Sequence, residues 1–268
     1  MPRDRWKPVE RELRKTIGPL IAGVDEVGRG PLAGPVVACA VIMPPDVRAI
    51  AGVDDSKQLR PLDRERLARK IRERAVAIGI GAASVREIDR LNIYHATVLA
   101  MRRALGRLAT TPHHVLLDGR PMRTLGVEHT AIVHGDDACY SIACASIIAK
   151  VTRDRVMRGL AGRYPNYLWE RNVGYSTLAH LQGLAAHGIT PHHRHSFLPV
   201  RQLSLDFTSG STELDLEALA KTIGEGQAID SADFSADALQ FDPSAEPSDV
   251  PLTDGLAASE PGDAQPNV

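Results

Sequence analysis

The 268-residue sequence has no apolar run of about 18 residues, the length a helix needs to cross a bilayer. Its start, Met1 to Lys15, is charged and has no apolar stretch behind it. Neither a membrane span nor a secretory leader is expected, so the expected compartment is the cytoplasm and no membrane partner is foreseen. Cysteine is scarce as well. Cys39, Cys139 and Cys144 are too few and too scattered for a disulfide framework or a paired-cysteine zinc site, and they read as reduced core thiols. Lysine and arginine almost vanish at one end: from Ser204 onward there are fourteen acidic residues and one basic, Lys221. Such a segment cannot bury enough apolar surface to offset its ordering entropy. Residues 204–268 are expected to form a disordered acidic tail, with a helical turn or two near Glu213 to Thr222.

What remains can build a core, since 43% of the chain is hydrophobic and 24% charged. Of the 32 basic and 33 acidic residues, the tail takes one and fourteen, leaving 31 and 19 in residues 1–203, a balance of +12. A body that basic favours a polyanionic partner.

Hydrophobic pattern gives the body a mixed α/β organisation. Residues 18–27 and 36–43 read as strands joined by a Gly-Pro turn, because apolar runs this short, flanked by Gly and Pro, favour strand over helix. Residues 61–77 form an amphipathic helix with Leu67, Ile71 and Ala75 on one face. A third strand is expected at 78–85, a helix at 95–108, a short apolar strand at 115–117 and another strand at 130–133. A long helix over 140–160 carries Ile142, Ala145, Ile148, Ala149 and Val156 inward, and a shorter one spans 177–187. Strands first, then strands alternating with helices, give a mixed sheet with helices on its faces. The first 17 residues are set apart as an N-terminal extension, and 18–203 as one domain.

Four acidic residues fall at strand ends or loop starts: Asp25, Glu26, Asp118 and Asp136. The rim of a sheet is where α/β folds place ligand chemistry. A wholly apolar Val-Leu-Leu run delivers Asp118 directly to that rim. Clustered carboxylates repel unless a proton or cation sits between them, so a converging group implies hard divalent ions, Mg²⁺ or Mn²⁺. Two such ions about 4 Å apart would activate water and stabilise the leaving oxygen of a phosphodiester. Any one Asp alone is more simply a cap or turn residue, and Asp136 after Gly135 suits a turn well. Asp25 and Glu26, as strand neighbours, would face opposite sides unless the strand ends or bulges there, which Gly28 permits.

The segment Gly28-Arg29-Gly30-Pro31-Leu32-Ala33 has the letters of a dinucleotide fingerprint, but Pro31, Gly34 and Pro35 disfavour the helix that fingerprint must open. It reads instead as a glycine loop, either a plain connection or one whose backbone N–H groups approach a phosphate or ribose hydroxyl. His192, His193 and His195 lack zinc-site spacing and read as a basic surface segment that, with Arg194 and Arg201, meets phosphates. Lys57 and Lys150 are further phosphate candidates, with solvated surface the alternative. His113 and His114 flank the Asp118 strand for structural reasons. Tyr175 either stacks on a base or sugar or simply packs.

Taken in order, Gly23-Val-Asp-Glu-Val-Gly-Arg-Gly-Pro-Leu-Ala-Gly-Pro-Val36, Asp55-Ser56-Lys57, Leu117-Asp118-Gly119, Gly135-Asp136, Ser141-Ile-Ala-Cys-Ala-Ser-Ile-Ile-Ala-Lys150-Val-Thr-Arg-Asp154, Gly174-Tyr175 and His193-Arg-His-Ser-Phe197 resemble type II ribonuclease H, ribonuclease HII. The likeness runs from about residue 20 to 200. It implies a ribonuclease H-like mixed α/β sheet flanked by helices, with a small helical C-terminal part. It also implies cleavage of the RNA strand of RNA–DNA hybrids, and nicking 5′ to a ribonucleotide embedded in duplex DNA. By this resemblance Asp25, Glu26, Asp118 and Asp136 are the metal-binding catalytic carboxylates, holding two Mn²⁺ or Mg²⁺ ions with substrate bound. Gly28, Arg29 and Gly30 recognise the ribose 2′-hydroxyl, and Tyr175 senses the RNA-to-DNA junction. The sequence departs from the family at His134 and Val173, where lysine is usual, at Asp137, an additional acid, and at Tyr167-Leu168-Trp169. Nothing demands a partner chain, so a monomer is expected. The rival readings are a hybrid-binding module without turnover and a junction-resolving or strand-transfer nuclease of the same superfamily.

Overall fold

The computed structural model describes residues 8–202 apart from 46, 47, 55 and 199. The acidic segment from Ser204, with the turn expected near Glu213, and Asp55 lie outside the described residues. Five strands form one sheet: β1 (Ile21–Val27), β2 (Val36–Ile42), β3 (Ala77–Ala83), β4 (His114–Asp118) and β5 (His129–Ile132), in the order β3-β2-β1-β4-β5. The first three make an antiparallel meander; β4 pairs parallel to β1, and β5 parallel to β4. All five lie within a residue or three of the ranges read from the sequence. Among the described residues no helix is long and apolar enough to cross a membrane.

The helices are α1 (Val9–Thr16), α2 (Pro61–Arg74), α3 (Val85–Gly106), α4 (Gly135–Ala138), α5 (Tyr140–Ala161), α6 (Trp169–Asn172) and α7 (Leu178–His187). On one face of the sheet α3 packs Ala96, Ala100, Met101 and Ala104 against Ala22, Val24, Ala40 and Leu117. On the other, α5 and α2 bury Ile147, Ile148, Leu67 and Ile71 against Cys39 and Val41. Each such isoleucine or leucine contributes roughly 1.5–3 kcal/mol by leaving water. Helix α5 lies unusually close to β1, and Gly23 makes that possible: a Cβ there would fall 2.2 Å from the main-chain carbon of Ser141.

Three local differences from the sequence reading have physical reasons. The helix expected from His95 is the second half of α3, whose first half starts in a Ser84–Glu87 capping box. Asn92, at φ 68° and ψ 169°, breaks the helix, and its side chain accepts the His95 N–H to start it again. The segment set aside as an extension contains α1, whose Val9 and Leu13 pack against Ile21, Leu116 and Ile142. There the Glu10 carboxylate accepts the Ser141 N–H at the start of α5. Val156 is 41% exposed rather than inward; on that turn Arg153 and Met157 are the buried residues, because α5 has passed the sheet edge and faces the glycine loop instead. Below it a satellite core of Leu32, Met157, Tyr167, Trp169, Leu181 and Leu184 holds α6 and α7.

Candidate active site

Val24 pairs with Leu117, so Asp25 and Asp118 stand side by side at the carboxyl ends of two adjacent parallel strands. After β5 the chain turns through His134 in the left-handed region (φ 56°) and opens α4 with Gly135 and Asp136. The Gly135 N–H donates to Asp118 Oδ1 at 2.6 Å, which ties the turn to the strand end. One carboxylate oxygen from each of Asp25, Asp118 and Asp136 lies within 4.8 Å of the others. Glu26 stands outside that group. Strand alternation sets it apart from Asp25, and it pairs with Arg29 at 3.3 Å. It nevertheless lines the same cavity of about 230 Å³, with Asp25, Asp118, Lys57, Lys150 and Tyr175.

Electrostatics mark the cluster. Burial, and then the charges of Glu26, Asp118 and Asp136, push the Asp25 carboxyl well above the usual carboxylate range, opposed by a hydrogen bond from Ser146. Burial also raises Glu26, with Asp118 adding to the effect and Arg29 opposing it. Carboxylates so placed want a proton or a cation between them. An all-oxygen donor set without Cys or His suits a hard divalent ion, so the residues present fit Mg²⁺ or Mn²⁺.

Around the carboxylates the sequence candidates divide. Lys57 is exposed and holds its ammonium 3.6 Å from Asp136. Lys150 pairs with Asp154 at 2.8 Å on the cavity wall. Tyr175 covers the glycine loop, since a Cβ on Gly30 would sit 3.8 Å from its Cε1. Arg194 corrects the surface reading: it is fully buried, and its guanidinium donates to the carbonyls of Gly28, Arg29 and Gly34. A charged side chain whose donors are filled by main-chain oxygens inside the protein meets no phosphate. His193 is buried too. Trp169 Nε1–H donates to His180 Nε2, so His180 carries its proton on Nδ1 and gives it to the Tyr175 carbonyl at 2.8 Å. His193 then donates from Nε2 to His180 and accepts from Thr190 on Nδ1. Burial holds these imidazoles neutral, at about 4 for His180 and about 3 for His193. His113 and His114 are structural, as expected: His113 accepts the Leu20 N–H, and His114 bonds Thr130.

Sequence reasoning missed Ser56, Ser146 and Arg153. The two hydroxyls are buried and lie 2.8 Å apart, and Ser146 also bonds Asp25. A serine among isoleucines and alanines in the first half of α5, which is buried on every side, was the available signal, because a buried hydroxyl needs a partner.

Residues 22–200 match the profile of the family described as Ribonuclease HII. The chain is 55% identical over 205 residues to Ribonuclease HII of Granulibacter bethesdensis, an alignment covering 75% of this chain and 94% of that one. It is 59% identical over 179 residues to Ribonuclease HII of Thermosynechococcus vestitus, covering 66% and 83%. The crystal structure of ribonuclease H2 from Pyrococcus horikoshii superposes with a TM-score of 0.62 at 28% identity, covering 70% of this chain and 99% of that one. A likeness of that length and depth shows that the chain belongs to the ribonuclease HII family, endonucleases of the ribonuclease H class that act on RNA–DNA hybrids.

Proposed function

We propose that the chain cleaves the RNA strand of RNA–DNA hybrids and also nicks duplex DNA on the 5′ side of a single embedded ribonucleotide, leaving 3′-hydroxyl and 5′-phosphate ends. The observation that carries this reading is the convergence of Asp25, Asp118 and Asp136 beside a glycine loop covered by Tyr175. Two divalent ions held by these three carboxylates, with Glu26 at the rim, would lower the pKa of the attacking water and stabilise the departing oxygen. The reaction forms one bond from water oxygen to phosphorus and breaks the bond from phosphorus to the 3′-oxygen, which leaves with a proton.

The chain's own residues choose where that happens. Backbone groups of Gly28, Arg29 and Gly30 meet the 2′-hydroxyl, the one sugar group that separates RNA from DNA at that point. Tyr175, stacked on the next sugar, reports that the following nucleotide is DNA. Lys57 and Lys150, on the cavity wall, neutralise phosphates on either side. In this reading the enzyme is a monomer and works in the cytoplasm. The deciding experiment offers a duplex with one ribonucleotide, a long hybrid and an all-DNA duplex, with Mg²⁺ and Mn²⁺ side by side. Nicking of the first two alone is the expected result; cutting of the all-DNA duplex would overturn the assignment of the glycine loop.

A further inference from the structure

We propose that Arg153 and Arg194 are positioning residues that set the direction in which the glycine loop presents its amides, and through it the recognition of the 2′-hydroxyl; the inference rests on the reading of that loop given above. Both side chains are fully buried. Arg194 donates to the carbonyls of Gly28, Arg29 and Gly34, and Arg153 to those of Ala33, Pro35 and Val173. Burial lowers them to about 9 and about 10. Both therefore stay cationic at neutral pH. Their strongest partners are main-chain oxygens, with the Phe197 ring 5.0 Å from the Arg194 guanidinium carbon. A buried cation is costly unless its hydrogens are satisfied, so the carbonyls must turn toward it.

That requirement fixes the loop's other face. In a trans peptide the C=O of one residue and the N–H of the next point in opposite directions. Drawing the Gly28 and Arg29 carbonyls onto Arg194 therefore aims the N–H groups of Arg29 and Gly30 the other way, off the interior and under Tyr175. Glycine at 28 is part of the same device: its φ is +93°, and a Cβ there would meet Arg153 Nε at 2.1 Å. Arg153 also joins the loop to the strand of chain that carries Tyr175, through Val173, while Leu32 N–H bonds the Gly174 carbonyl. The two elements that read the sugar thus share one support. Val173, where the family usually has lysine, contributes its carbonyl, which any residue supplies.

The test compares nicking at a single ribonucleotide with nicking at a 2′-fluoro nucleotide in the same duplex, for the wild type, Arg194→Lys and Arg153→Lys. Lysine keeps the charge but cannot span three carbonyls with a planar fork. The expected result is a ribo-to-fluoro preference at least tenfold lower in Arg194→Lys, with Mn²⁺ affinity unchanged by calorimetry. An equal loss of rate on both substrates, the signature of a merely structural role, overturns the proposal. A wild type that shows no preference refutes the loop reading itself, not the clamp. If neither variant folds, the Nε–H protons of Arg194 and Arg153, which donate to the Gly34 and Pro35 carbonyls, decide in the wild type: slow exchange of both supports guanidinium groups held on the loop, and exchange at the rate of a free arginine overturns the proposal.

Discussion

Replacing Asp118 by asparagine separates the chemistry of the carboxylates from their cost to the fold. Asparagine keeps an oxygen that accepts the Gly135 N–H, now bonded at 2.6 Å, so α4 stays where it is. What is lost is one charge no more than 4.8 Å from its neighbours. At an effective dielectric constant of about 20, two charges at that distance repel by about 3 kcal/mol. Part of this is already relieved by the raised proton affinity of Asp25, so the metal-free variant should be more stable than the metal-free wild type by about 1–3 kcal/mol. For a body of this size that is a rise in melting temperature of roughly 2–10 °C. The pH dependence follows the same charges. Because Asp25 binds its proton more tightly when folded, the metal-free wild type loses stability as pH rises from about 3.8 toward neutrality, and the variant should show a shallower fall. Saturating Mn²⁺ should cancel or reverse the difference, since an ion at 100 times its dissociation constant adds about 2.7 kcal/mol to the wild type and much less to the variant. Thermal melts with and without Mn²⁺, beside a nicking assay, measure all of it. Cleavage should fall on the order of 10³-fold or more. A variant that still cleaves at the wild-type rate, or a metal-free variant that melts below the wild type, would refute the argument.

The remaining predictions concern the supports of the site. His180 and His193 are held neutral, below their ordinary 6.5, so the stability they give is complete above pH 6.5 and is lost as pH falls toward 4. His180 alone then contributes about 3 kcal/mol of acid sensitivity, visible in urea melts between those pH values and absent if its nitrogen shifts titrate near 6.5. Ser146→Ala removes the hydroxyl bonded to Asp25 and strands the buried Ser56 hydroxyl, at a cost of about 1–3 kcal/mol. It should weaken Mn²⁺ binding, and equal affinity by calorimetry would count against a role for the serine pair. Gly23→Ala sets a methyl 2.2 Å from the main chain of Ser141 and must push α5 off β1. Loss of folded protein, or a melting temperature lower by 10 °C or more, is the expected reading.

Much of this is legible in the sequence alone, and the reason is local. A short, wholly apolar run such as Val115-Leu116-Leu117 suits an interior strand, so the acid that follows it stands at the rim, and the same reasoning applies to Asp25. What stayed hidden depends on partners far along the chain. Nothing near Val9 or Glu10 shows that they close the sheet and cap α5. Asn92 was hidden for another reason, since a single left-handed residue leaves no periodic trace in α3.

The arginines show the limit most sharply. Counting Arg153 and Arg194 toward a balance of +12 treats both as surface charge available to phosphates. Their donors are instead filled by carbonyls between 20 and 166 residues away along the chain. Sequence reveals that a guanidinium is present, and it reveals glycines whose carbonyls are free to turn, but the pairing of one with the other is a property of the folded chain alone. Charge tallies therefore identify the class of ligand. The groups that tell one nucleotide sugar from another are found only by asking which way each peptide has been made to face.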